Sequence, residues 1–106
     1  MSHAVIDHVN AAQDRLIAAR LRRDRRALRI ARQNLRRWMA RDGRKVRPVF
    51  REWHGILVRL NAREIAAFLE SDTPMARRLR QSSPFAGVLT EAERRAIQQK
   101  HEKARA

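Results

Sequence analysis

Hydrophobic residues return every three or four positions along most of this chain, the spacing of helices that bury one face. From Ala4 to Arg41 there is neither Gly nor Pro and good helix formers dominate, which predicts one long N-terminal helix ending before Asp42-Gly43. At about 100° per residue, Ile17, Leu21, Leu28, Ala31, Leu35 and Trp38 fall within a stripe of roughly 100°. Two positions depart from the pattern. Asp24 lies on the stripe, where an ion pair with Arg20 one turn earlier would accommodate it, and Ile30 points out among the charged residues.

The remaining elements are short. Residues 42–48, DGRKVRP, form a connection in which Gly43 suits the left-handed position after a helix and Pro48 the first turn of the next. In VFREWHGILVRL the residues Phe50, Trp53, Leu57 and Leu60 give a second helix its apolar face. Asn61 and Glu64 have the spacing of a capping box, and Ile65, Phe68 and Leu69 mark the inner face of a helix running to about Glu70. Asp72 or Thr73 caps a further helix that begins at Pro74, and SSPFAGVL, 82–89, is an irregular stretch that turns Phe85, Val88 and Leu89 inward. Thr90 and Glu93 open a last helix, expected to fray through the polar tail. With no strand candidate, the expected fold is an all-α single domain over 1–106. In it a long amphipathic N-terminal helix (1–42, Arg-rich) packs on the three or four short helices of a module over 48–104.

Composition makes the core thin: of the hydrophobic residues 17 are Ala, and Leu, Ile, Val and Phe together number 24. The absence of cysteine excludes disulfides, thiol catalysis and thiolate-bound metals. No apolar run reaches membrane length, and the opening MSHAVIDHVN lacks a basic region followed by an apolar one, so a cytoplasmic protein outside the membrane is expected. A straight helix of such length outruns the short helices meant to cover it. Val5, Val9, Ala12 and Leu16 are therefore the expected contact face of a homodimer.

Charge changes the picture most. The net +14 is concentrated: residues 15–51 hold 15 basic residues against two acids, Asp24 and Asp42, a net +13. Arg15, Arg22, Arg25, Arg26, Arg29, Arg32, Arg36 and Arg37 spread over the half of the long helix opposite its stripe. Two acids cannot neutralise them from within, so a multivalent anion would relieve their repulsion, and guanidinium groups fork onto phosphate and guanine edges. A nucleic-acid partner is expected, DNA ahead of RNA; Arg-rich helices also bind RNA, and the scarcity of aromatics argues only against stacking on single strands. The alternative is an antitoxin-like or inhibitory module whose arginine helix docks on an acidic protein.

Catalysis finds little footing. No nucleophile is paired with a base, His3 and His8 fall on different helix faces, His54 is a surface residue beside Glu52, and Ser82 and Ser83 suit a turn; neither an enzyme, a metal nor a cofactor is expected.

Residues 62–81, AREIAAFLESDTPMARRLRQ, resemble a helix-turn-helix in Glu64-Ile65-Ala66, in Leu69 and in the basic second helix. That resemblance implies base reading by Arg77, Arg78 and Arg80. The pattern departs at Glu70, where the motif usually has Gly, at Ser71, where it prefers an apolar residue, and at Pro74. More widely, Glu52-Trp53, Ile56-Leu57 and the run RLRQSSPFAGVLTEAER within residues 52–97 are similar to the C-terminal part of small uncharacterised bacterial proteins, some of them from mobile elements. The resemblance implies a recurring module and a mobile-element context, and assigns no catalytic or binding residue.

Overall fold

Asp24 divides what the periodicity reads as one helix. The computed structural model describes residues 3–105, with side chains from Ala4 to Lys103. Its order is α1 (His3–Leu21), α2 (Arg25–Asp42), α3 (Pro48–Arg59), α4 (Ala62–Glu70), α5 (Pro74–Arg80) and α6 (Glu91–Arg105), with no strand among the described residues. The fold is all-helical, and the N-terminal helix packs against the shorter ones.

The single helix expected over 4–41 is corrected to two. Asp24 takes an extended conformation (φ −138°, ψ 111°), and its carboxylate accepts the Arg26 amide at 2.9 Å, capping α2. An N-cap aspartate satisfies an orphan amide and places negative charge at the positive helix end. Residues 20, 22, 23, 25 and 26 are all Arg, so a continuous helix would also stack five guanidinium groups in two turns. Asp24 therefore pairs with Arg26, not with Arg20 as the helical spacing implies. Arg20 reaches Glu93 at 2.5 Å and tethers α6 to α1. A straight helix over 4–41 would span about 57 Å, beyond the 47 Å long axis of the molecule.

The break changes what the first third of the chain does. α1 packs against α4 and α6 as well as α2, and Val5 and Val9 are buried within the chain. Of the strip assigned above to a second copy, Val5 and Val9 are thus used internally and Leu16 packs partly on the core, and the length argument for a homodimer falls away.

The core centres on Trp53. It is wholly buried, meets Phe68 and Phe85 edge-on at 5.7 and 6.0 Å, and donates its indole N–H to the Leu79 carbonyl at 2.8 Å. Ile65, Ala66 and Leu69 of α4 and Leu79 of α5 close around it. Both expected capping boxes are made, Asn61 with Glu64 and Thr90 with Glu93, and Thr73 rather than Asp72 caps α5. Gly43 has φ +65° and ψ −124°, a positive-φ backbone that favours glycine but lies outside the left-handed helical region expected there. Within 82–89, Phe85, Val88 and Leu89 are buried as expected. Two further expectations are revised: Ile30 is half-buried against the core rather than outward, and α6 continues as helix to Arg105 rather than fraying earlier.

Candidate nucleic-acid interface

α2 carries the positive charge on a surface its own packing defines. Ala27, Ala31, Asn34 and Leu35 are buried and fix the inward side of the helix. On the opposite side, Arg25, Arg29, Arg32 and Arg36 fall within about 60° of one another at helical spacing, and all four are exposed. They follow the steps i, i+4, i+7, i+11, so the ridge extends about 16 Å along the helix. Among the described residues none of the four has a carboxylate partner or a side-chain hydrogen bond. Arg41, Arg44, Lys45 and Arg51, at or after the C-terminal end of α2, are likewise exposed and unpaired. Like charges four residues apart repel, so the ridge is a row of donors lacking counter-charge.

The other arginines of the basic half divide differently. Arg22 pairs with Glu70 at the end of α4, Arg26 with Asp24 at 3.3 Å, and Arg37 donates to the Asn34 side-chain oxygen. Arg15 is exposed and unpaired among the described residues, on α1 rather than on the ridge helix. The structure thus brings together four of the eight N-terminal candidates, leaves one apart, and commits three to neighbours.

The three α5 arginines are all engaged. Arg77 meets Asp72 at 2.6 Å, and Arg78 makes a two-pronged contact with Glu52 (2.6 and 3.2 Å) that holds the Glu52 carboxyl below its ordinary range. Arg80, only 19% exposed, donates to the carbonyls of Leu69 and Ser71 and lies 3.5 Å from Asp14. Arg80 thereby ties α5 to α4 and α1. The helix, turn and helix of 62–81 are present, with a connection of residues 71–73 and a second helix of two turns.

A polar cleft of about 980 Å³ opens between α1, α5 and the 82–89 segment, lined among others by Asp14, Asp72, Arg77, Arg80, Ser83 and Arg94. Burial pushes the Asp14 carboxyl up to about 6 against the pull of Arg80. Among the described residues Ser83 is the one hydroxyl lining it, and that oxygen accepts the Phe85 amide at 3.3 Å with no base among them bonded to it. Elsewhere the Arg20 guanidinium, with the Thr90 amide, holds Glu93 down to about 2. The His8 and His101 rings lie 6.3 Å apart, tilted at 52°, and no cluster of three or more metal-type ligands occurs among the described residues; the His3 side chain lies outside them.

Asn34 is the functional-looking residue that helical patterning misses. It is 6% exposed, and its amide donates to the Pro84 and Ala86 carbonyls at 2.9 and 2.8 Å, pinning the 82–89 segment beneath α2. An amide on the buried face of a basic helix was the available signal. The partner carbonyls, some 50 residues away in sequence, had none.

A second depression of about 530 Å³ lies between α2 and α3, lined by Arg32, Leu35, Arg36, Met39, His54, Leu57 and Val58. No helix among the described residues is long and apolar enough to cross a membrane. No protein-family model, curated protein or solved structure matches the chain.

Proposed function

We propose that this chain is a non-enzymatic binder of double-stranded nucleic acid, DNA ahead of RNA, acting in the cytoplasm as a small regulator or accessory factor. The observation that carries the reading is the ridge of Arg25, Arg29, Arg32 and Arg36, four exposed guanidinium groups in line and without a counter-charge in the described chain. A solvated helix that serves only to be wet mixes its signs; this one keeps its acids at its two ends, Asp24 and Asp42. Guanidinium groups fork onto phosphate oxygens, and a rigid row of them tracks a backbone of regular charge.

Phosphate contacts of this kind supply affinity and position rather than sequence. In this reading base recognition by α5 is secondary: Arg77 and Arg78 would exchange an acid for a base edge, while Arg80 holds the fold. One copy presents the whole ridge, and the charge of residues 15–51 opposes apposition of two such faces.

The test is fluorescence anisotropy with labelled duplex DNA, duplex RNA and single strands across a salt series. With about four to seven phosphates engaged, log affinity for duplex should fall against log salt with a slope near −4 to −6. Binding that is weak and equal for every polyanion, heparin included, would overturn the reading.

A further inference from the structure

The α2–α3 groove joins two properties that a nucleic-acid backbone would not use together. Its floor is apolar: Leu35 and Leu57 are buried, Met39 is half-buried, and Val58 on the rim is 69% exposed, the most exposed large hydrophobic residue described. Its α2 edge is cationic, formed by Arg32 and Arg36 of the ridge, both without a carboxylate partner among the described residues. On α3, exposed Arg51 shares a helical face with the lining residues His54 and Val58, at steps of three and four, so a cationic group stands beside the second edge as well. Phosphates satisfy the arginines but leave Met39 and Val58 in water. A neutral apolar ligand does the reverse.

We propose that this groove docks an acidic amphipathic helix of a partner protein, and that this helix and duplex nucleic acid exclude one another because both require Arg32 and Arg36. From Arg32 to Met39 the groove runs about 10 Å, two turns of helix. It therefore fits three apolar side chains at i, i+3 or i+4, and i+7, flanked by carboxylates one turn apart. Charge complementarity selects the occupant. A second copy would bring its own +13 segment to the contact, whereas an acidic helix neutralises both edges while covering the floor. The mutual exclusion rests on the nucleic-acid reading; the groove's occupant does not.

The experiment uses the full chain and a labelled synthetic peptide of about 18 residues, long enough to form helix on docking. The peptide carries Leu at i, i+3 and i+7 with Glu on the flanks, beside a second peptide of the same composition with the leucine row scrambled. Anisotropy at about 150 mM salt, where exposed charges are largely screened beyond a Debye length, should show the ordered peptide about tenfold tighter than the scrambled one. Val58→Asn with Met39→Gln, both at solvent-accessible positions, should abolish that preference and leave duplex affinity within about twofold. Arg32→Gln with Arg36→Gln should weaken peptide and duplex alike, and unlabelled ordered peptide should displace bound duplex. Equal affinity for the two peptides, or a preference that survives Val58→Asn with Met39→Gln, overturns the proposed occupant. Simultaneous binding of peptide and duplex overturns the exclusion. A preserved peptide preference with no duplex binding at any salt supports the groove and sinks the nucleic-acid reading.

Discussion

Asn34 shows what one buried polar side chain accomplishes in a core this small. Its amide occupies two carbonyls of a segment without regular structure, and its oxygen is taken by Arg37, so all its main hydrogen-bonding positions are engaged. Replacement by Ala strands the Pro84 and Ala86 carbonyls beneath α2, a loss on the order of 1–3 kcal/mol when buried groups go unsatisfied. Urea denaturation of Asn34→Ala should show that fall in midpoint, with the 82–89 amides the first to gain hydrogen exchange. Asp24 acts at the N-terminal end of the same helix. Asp24→Ala removes the cap and the acid facing Arg26, and is expected to lower the midpoint in the same measurement.

At the scale of the element, α2 serves as scaffold on one side and as a charged edge on the other. Arg25, Arg29, Arg32 and Arg36 changed together to Gln should lower duplex affinity at least about tenfold. Thermal stability should hold or rise by a few tenths of a kcal/mol as like-charge repulsion is relieved. Changing Arg22, Arg26 and Arg37 to Gln instead removes as many as three internal contacts and should act mainly on stability, with binding far less affected. Anisotropy beside thermal melts separates the two sets; equal losses of binding would mean that total charge, not the ridge, matters. Much of this element plan was legible in the residues. Phe50, Trp53 and Leu57 face inward on α3, and Asn61, Glu64, Thr90 and Glu93 cap where their spacing says. The break at Asp24 was not legible from periodicity, because an acid on the apolar stripe reads as a blemish within a run of strong helix formers, and Ala27 at the third helical position offers no capping-box partner. The sorting of free from committed arginines was hidden for another reason. The acids that claim Arg20, Arg22, Arg78 and Arg80 come from other elements, Glu93, Glu70, Glu52 and Asp14, so only tertiary structure shows which guanidinium groups remain.

For the whole molecule, two carboxylates pull the pH dependence of stability in opposite directions. Asp14 titrates in the fold at about 6 rather than 3.8, so the folded state holds its proton more tightly than the unfolded chain does. Its effect is most favourable below 3.8 and is lost as pH rises to about 6. Glu93 is held at about 2 rather than 4.5, so its contribution is complete above 4.5 and disappears as pH falls toward 2. Thermal melts from acid to neutral pH should therefore show a maximum near pH 4 to 5. Asp14→Asn should flatten the limb between that maximum and neutrality, while Glu93→Gln should flatten the acid limb. An unchanged neutral limb in Asp14→Asn would place the burial of that carboxyl in error. Asn34, Asp24 and the packing of Ala27, Ala31 and Leu35 have a consequence that concerns disorder rather than affinity: the backbone beneath the ridge is ordered before any ligand arrives. Association then restricts only guanidinium rotamers, about 0.5–1.5 kcal/mol for each side chain held. Calorimetry of a ligand that meets the ridge alone should register a small heat-capacity change, with ions leaving the ligand, not a folding chain, supplying the entropy.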